Sequence, residues 1–180
     1  TRVWFKNKEK GWNSFCTRVD FENGKYYLKN RRHDYFMRGY IGSRKYYTRP
    51  CCEHCRYKEI PRQADITLAD FWGIARLNPA WDEDLGTSAV LLNSLKGQRL
   101  YQALQDRVQS YDVSFEHVLQ GNQALTRSVK LAEDREAFFQ DLDHLRFDRL
   151  IDKYCKKSLR QMLVDLRADI HLYIGKKERL

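Results

Sequence analysis

Residues 64–73 read Ala64-Asp65-Ile66-Thr67-Leu68-Ala69-Asp70-Phe71-Trp72-Gly73. Ile66 and Leu68 alternate with polar neighbours, and this period of two predicts a β-strand with one face towards a core. A second strand is predicted at residues 88–93, where four consecutive apolar residues are bounded by polar ones. An uninterrupted run of this length is typical of a strand that is buried on both faces.

Upstream of these strands the sequence predicts a β-hairpin. One face of its first strand carries Phe15, Thr17, Val19 and Phe21, and residues 25–28 form the second, antiparallel strand. Asn23-Gly24 between them favours a type I′ turn, which requires two residues with positive φ. The aromatic and basic segment that follows, residues 30–48, predicts one short helix.

Downstream of the second strand the pattern is mainly helical. Helices are predicted over residues 97–108, 114–121 and 133–145, and a further strand at residues 111–113. Ser158 begins a capping-box sequence, which predicts the start of a C-terminal helix. One face of that helix is an apolar stripe, expected to pack within the chain: Leu159, Met162, Leu163, Leu166, Ile170 and Tyr173.

These elements predict an α/β (α+β) fold with a small mixed sheet, an N-terminal hairpin, flanking helices and a helical C-terminus. We expect one domain over residues 1–150 and a helical extension over residues 151–180. The chain begins with Thr1 rather than Met, so we expect it to be a segment of a longer polypeptide.

Composition excludes several classes of protein. The chain has 180 residues, of which 42% are hydrophobic and 32% charged, so disordered and collagen-like classes are excluded. No apolar run approaches the roughly 20 residues of a membrane span. Residues 1–65 contain 16 Lys and Arg against 7 Asp and Glu, whereas residues 66–180 contain 17 of each. This basic region could attract nucleic acid, an anionic lipid surface or an acidic ligand or partner, or it could be a solvated face that meets an acidic neighbouring domain. No known nucleic-acid-binding signature accompanies it.

The five cysteines are Cys16, Cys51, Cys52, Cys55 and Cys155. An odd number with three residues clustered argues against a secreted disulfide framework and favours a reducing, cytoplasmic location. Cys52 and Cys55 form a Cys-x-x-Cys unit in the segment that we call the cysteine loop, residues 49–58. Three readings remain open for it: a metal or cluster site that Cys51, Cys16 or Cys155 could extend, structural thiols, or a redox dithiol. No catalytic nucleophile with a neighbouring base is recognisable.

Polar residues after the cysteine loop are candidates for binding a cofactor. Asp65 and Asp70 flank the first central strand, where carboxylates could bind ribose hydroxyls or a flavin edge, or simply cap the strand ends. Thr87, between Gly86 and Ser88, could donate hydrogen bonds to a phosphate.

Two motifs together resemble a known family. Residues 49–58 read Arg49-Pro50-Cys51-Cys52-Glu53-His54-Cys55-Arg56-Tyr57-Lys58, and the stretch from Ala64 to Ile74 follows in order. With the loop from Asp82 to Ser88, these motifs resemble the C-terminal domain of the coenzyme F420 hydrogenase/dehydrogenase beta subunit family, in its bacterial, ferredoxin-fused form.

This resemblance implies an iron–sulfur flavoprotein that passes electrons between a 4Fe–4S cluster and FAD, with a ferredoxin-type module as its partner in cis or in trans. Cys52 and Cys55 would be cluster ligands, with Cys51 beside them. Asp65, Asp70, Trp72 and Thr87 would lie near the cofactors, and Arg49, with Arg44, Lys45 and Arg62, could hold the FAD pyrophosphate. Cys51 and Ala69 depart from the family pattern, and the ferredoxin part is missing, so independent catalysis by this chain is not expected. The alternative is a non-catalytic binding module with a zinc or empty cysteine site and a basic partner-binding face.

Overall fold

A computed structural model describes residues 1–41 and 45–177, with side chains as far as residue 170. The described residues form two small antiparallel sheets and six α-helices, which confirms the predicted mixed α/β class. Two separate antiparallel sheets replace the single mixed sheet that we expected. The chain divides into two compact units, Thr1–Thr48 with Lys130–Leu180, and Arg49–Val129.

The strands are β1 (Arg2–Asn7), β2 (Cys16–Asp20), β3 (Tyr26–Asn30), β4 (Ile66–Asp70) and β5 (Ser88–Leu92). The helices are α1 (Tyr35–Ile41), α2 (Leu95–Gln102), α3 (Phe115–Gly121), α4 (Arg135–Leu142), α5 (Phe147–Tyr154) and α6 (Leu159–Lys177).

The first unit contains the predicted hairpin. Strands β2 and β3 pair in antiparallel register, and β1, which the sequence analysis missed, adds to the other edge of β2. The turn type was predicted incorrectly. Phe21 N–H donates to the Lys25 carbonyl over 2.9 Å, and only Gly24 has positive φ, at 77°. The loop between Phe21 and Lys25 therefore has three residues, with Gly24 in the left-handed position. The Asn23 side chain accepts a hydrogen bond from Lys25 N–H at 3.1 Å.

An aromatic core closes the first unit. Tyr46, Phe138, Leu150 and Ile151 are all completely buried. The Tyr46 ring stacks on Phe138 with centroids 4.2 Å apart, and its hydroxyl donates to Asp134 Oδ1 at 3.0 Å. Residues before and after the second unit in the sequence therefore share one core.

The second unit is built on β4 and β5, which pair from Ile66 opposite Leu92 to Asp70 opposite Ser88. Its buried core consists of Phe71, Ile74, Ala89, Val118 and Leu125. The expectation that the β5 segment is buried on both faces was wrong. Val90 is 41% exposed and Leu68 opposite it is 69% exposed, because a two-stranded sheet covers only one of its faces here.

Helix α6 begins where the capping box predicts. Gln161 N–H donates to Ser158 Oγ at 3.1 Å. Its apolar stripe, however, does not form a core: Leu159, Leu163 and Leu166 are 56–81% exposed. Among the side chains of this helix that the structure describes, the buried one is that of Asp165, a polar residue. The side chain of Tyr173 lies outside the described ones.

Two further details differ from the predictions. Residues 111–113 form no strand, and α2 ends at Gln102 rather than at residue 108. Among the described residues, no helix combines the length and apolar character that a membrane crossing requires.

Candidate functional site

The cysteine loop begins with a single 3-10 turn at Pro50–Cys52. Proline at the first position suits this turn, because the missing N–H needs no partner there. The Arg49 carbonyl accepts from Cys52 N–H at 2.9 Å. Further on, Cys55 N–H donates to Ser128 Oγ at 3.3 Å, which ties the loop to the end of the second unit.

The loop leaves its three thiols accessible. Cys51 is exposed, whereas Cys52 and Cys55 are half-buried, and none is in a disulfide. Within the described part of the chain, no group of three or more His, Cys, Asp or Glu side chains is placed to hold a metal ion. Cys16 and Cys155 belong to the first unit, while the loop belongs to the second. The loop itself therefore contains three cysteines, whereas a zinc ion or a 4Fe–4S cluster usually takes four ligands.

An aromatic cleft of about 640 Å³ opens beside β5 in the second unit. Trp81 and Tyr111 line it and stack on each other, with ring centroids 4.1 Å apart and planes 16° from parallel. Buried Phe71 and Val118 also line the cleft. Its walls are therefore partly the apolar core of the unit and partly an aromatic pair at the surface, which suits a planar organic ligand.

Thr87 is the predicted cofactor-binding residue that lines the aromatic cleft. Its carbonyl accepts from Phe71 N–H at 3.0 Å, and its Oγ1 donates to the Trp81 carbonyl at 3.3 Å. The preceding turn is tight, since Asp84 and Gly86 have φ of 55° and 88°. This geometry joins the acidic loop to the start of β5 and to the tryptophan.

The other candidates do not line this cleft. Asp65 accepts a hydrogen bond from Ser94 Oγ at 2.6 Å and pairs with Lys96 at 3.1 Å. Both interactions lower the pKa of Asp65, the hydrogen bond from Ser94 most strongly. The Asp70 carbonyl accepts from the Asn122 side chain at 2.9 Å. The Trp72 carbonyl would lie 1.8 Å from a Cβ added at Gly121, so these two backbones meet without room for a side chain.

The basic candidates are dispersed. Arg49 is exposed, and Lys45 donates to the Ile41 carbonyl at 3.3 Å. Arg62 donates to the carbonyl of Leu125. Arg44 lies outside the described residues. None of the described three lines the aromatic cleft.

Trp81 and Tyr111 were not singled out in the sequence analysis. They are 30 residues apart, and Tyr111 lies in a segment without regular secondary structure. Two aromatic residues in separate loops give no periodic signal. Two features of the sequence near Trp81 indicated that this loop is unusual: Pro79 before it and the acidic run after it.

Comparison with known proteins identifies the family. No curated protein and no solved structure matches the chain significantly. The family model that describes the C terminus of the coenzyme F420 hydrogenase/dehydrogenase beta subunit matches residues 4–114, more than half of the chain. The matched range includes the whole cysteine loop and both stacked aromatic residues. The chain therefore belongs to the C-terminal family of coenzyme F420 hydrogenase/dehydrogenase beta subunits, an oxidoreductase family.

Proposed function

We propose that this chain is the flavin-proximal domain of an iron–sulfur flavoprotein oxidoreductase. In this proposal, electrons pass between a 4Fe–4S cluster held in part by Cys52 and Cys55 and an FAD whose ring enters the aromatic cleft. The observation that carries the proposal is the presence, in one compact unit of a family member, of both a Cys-x-x-Cys loop and an aromatic cleft.

The aromatic cleft supports the flavin part of the proposal. Pockets for small molecules typically measure about 300–1,000 Å³, and the volume of this cleft lies in that range, with a lining that mixes apolar and polar side chains. Trp81 and Tyr111 would offer an aromatic face to a ring. Thr87 and the backbone of residues 86–88 would offer hydrogen-bond donors and acceptors at its edge.

The cysteine loop would supply some of the ligands of the proposed cluster. A 4Fe–4S cluster is usually held by four thiolates. Cys52 and Cys55 would supply two, and Cys51 is adjacent on the same turn. The partial set accords with a ferredoxin-type module, in cis or in trans, that would supply the remaining ligands. All five cysteines are free, which suits the reducing cytoplasm in which we place the protein.

The bound cofactors would supply the electron-transfer chemistry, and the chain would set their surroundings. The core residues Phe71 and Val118 would exclude water from one side of the ring. Asp65, held by Ser94 and Lys96, would act at a distance by fixing the start of β4 and α2. Ser128 would fix the backbone at Cys55.

The cluster is tested by anaerobic purification with iron, sulfide and zinc analysis and a visible absorption spectrum. We expect Cys52→Ser and Cys55→Ser to lose the iron and the associated absorption. Cys155→Ser, a half-buried thiol of the other unit, is the matched control and should keep both. Iron that is absent from the unmodified protein, or unchanged in both loop variants, would contradict the cluster assignment.

The flavin is tested separately by titrating FAD and following the quenching of its fluorescence. We expect Trp81→Ala to weaken FAD binding by about tenfold, because one stacked aromatic contact contributes about 1–1.5 kcal/mol. Tyr57→Ala removes an aromatic side chain that is 65% exposed and does not line the cleft, so it should leave affinity unchanged. Equal affinities for all three proteins would overturn the assignment of the flavin to this cleft.

The alternative is a non-catalytic binding module with a zinc or empty cysteine site and a basic face that binds a partner. Stoichiometric zinc without iron or flavin in the anaerobic preparation would select this alternative.

A further inference from the structure

A second cleft, in the first unit, has a lining in which basic residues far outnumber acidic ones. It has a volume of about 680 Å³ and lies between residues 31–41 and the junction of α5 and α6. We call it the cationic cleft. Six basic residues line it, with Asp165 as the acidic residue of the lining: Arg31, Arg32, Arg38, Lys153, Lys156 and Lys157.

Several of these cations already have a carboxylate partner. Arg38 pairs with Asp152 at 2.9 Å, Lys153 with Asp141, and Arg32 is 3.8 Å from Asp169. None of those three carboxylates lines the cleft. Lys157 differs, because its partner at 2.6 Å is Asp165, which does line the cleft. With six basic residues and one carboxylate in the lining, the cleft remains positively charged.

The arginines keep unused hydrogen-bonding capacity. The Nε atoms of Arg32 and Arg38 are buried and have no hydrogen-bond partner among the described residues. Both side chains are only 15% exposed. A buried N–H without an acceptor is costly. These two atoms have almost no accessible surface, so an anion in the cleft would meet the terminal nitrogens of the guanidinium groups rather than Nε.

The charged form of Arg31 is disfavoured by its surroundings. Burial, and then the positive charge of neighbouring Arg32, lower the pKa of Arg31, while Asp165 opposes this effect. Two adjacent, partly buried guanidinium groups repel each other, and an anion between or beside them would reduce that repulsion.

The first turn of α6 adds to the positive potential. Ser158 and Gln161, at the start of this 19-residue helix, line the cleft. Backbone N–H groups at a helix start carry partial positive charge and favour a nearby anion.

We propose that the cationic cleft binds the phosphate group of a small phosphorylated ligand. Guanidinium groups match phosphate oxygens with paired hydrogen bonds, and a phosphate ester carries roughly −1.5 to −2 charges at neutral pH. The cleft is larger than a bare ion needs, so it has room for the organic part of the ligand. The wall at residues 153–165 lies outside the family match, and the site is separate from the aromatic cleft of the proposed function.

The test is calorimetric titration of the whole chain with inorganic phosphate and with pyrophosphate, at ionic strength fixed with sodium chloride. We expect binding of both probes, tighter for pyrophosphate. Lys156→Gln should weaken pyrophosphate binding severalfold without altering folding, because Lys156 is exposed. Arg38→Gln should weaken it by about tenfold or more, because a charge-assisted bond to the anion is lost. Asp165→Asn should strengthen it, because the acidic group of the lining is removed.

Lys25→Gln is the matched control, since it removes an exposed charge that does not line the cleft. Binding that is absent in the unmodified chain, unaffected by Lys156→Gln, or weakened equally by Lys25→Gln would overturn the proposal. If phosphate does not bind, iron and flavin binding remain as expected. If iron and flavin do not bind, phosphate binding remains as expected. The two proposals therefore fail independently.

Discussion

Asp165 is the buried acidic group of α6, at 4% exposure. Lys157 Nζ donates to one of its oxygens at 2.6 Å and Gln161 Nε2 to the other at 3.0 Å. Burial alone raises the pKa of a carboxyl group, but the hydrogen bonds from Lys157 and Gln161 outweigh it here. The pKa of Asp165 is therefore held below its usual value.

This lowered pKa predicts a dependence of stability on pH. A carboxyl group whose pKa is lower in the folded state than in the unfolded chain stabilises the folded state at pH values above its unfolded pKa of about 4. This stabilisation is lost as the pH falls through the pKa of the folded state. We expect Asp165→Asn to cost about 1–2 kcal/mol at neutral pH. Urea unfolding at several pH values measures this effect. The difference in the free energy of unfolding between the variant and the unmodified protein should narrow below about pH 4.

Asp106→Asn provides the control for this measurement, because Asp106 is an exposed carboxylate in a loop of the second unit. Its effect should stay within about 0.5 kcal/mol at every pH. A deficit of Asp165→Asn that is constant down to pH 3 would contradict the proposed role of the ionised group.

At the scale of elements, α6 shows why hydrophobic pattern alone misplaced a helix. The stripe of leucines predicted the buried face, yet the buried side chain among those described is Asp165, which accepts hydrogen bonds from Lys157 and Gln161. Asp169 lies 2.7 Å from the His33 ring nitrogen and 3.8 Å from Arg32. These contacts join Asp169 to residues more than a hundred positions away, which periodicity cannot reveal.

The start of α2 packs tightly against the start of β4. A Cβ added at Gly97 would lie 2.2 Å from the Asp65 carbonyl oxygen, far inside contact distance. Although alanine favours helix by up to about 1 kcal/mol, we expect Gly97→Ala to destabilise the chain by about 1–3 kcal/mol, because backbone atoms must move apart. Thermal unfolding monitored by circular dichroism measures the change.

Gln98→Ala is the matched substitution at the exposed neighbouring position of the same helix turn. It should be neutral or slightly stabilising, since it adds helix propensity without a contact. If Gly97→Ala were as stable as Gln98→Ala, the close approach between α2 and Asp65 would be refuted.

For the whole molecule, the two units have separate cores. Phe138 is completely buried in the first core, and Phe71 is 5% exposed in the second. We expect Phe138→Ala, at a cost of about 3–5 kcal/mol, to reduce amide protection chiefly within the first unit. Hydrogen exchange followed by mass spectrometry can assign the loss to peptides.

Phe71→Ala is the reciprocal variant and should reduce protection chiefly over residues 49–129. Equal loss of protection in both units after either substitution would show one cooperative structure rather than two.

The sequence could predict the parts of this molecule that depend on local patterns. The hairpin and β4 follow from alternation, β5 from its uninterrupted apolar run, and the start of α6 from the cap at Ser158; together they indicate the mixed α/β class. Strand β1 was missed because its apolar run, Val3 to Phe5, has only three residues and lies among charged and polar ones. The aromatic cleft was missed because its stacked pair joins two loops. The ligand roles of Cys52 and Cys55 remain predictions.

The division of the first unit between both ends of the chain has a consequence for protein synthesis. Tyr46 leaves the ribosome early, but its core partners Phe138, Leu150 and Ile151 follow only after all of residues 49–129 have been translated. The inserted unit can thus reach its final form while the hairpin and α1 still await their core. A nascent chain paused near residue 130 would expose those early aromatic side chains, which makes that interval the one in which a chaperone is most needed.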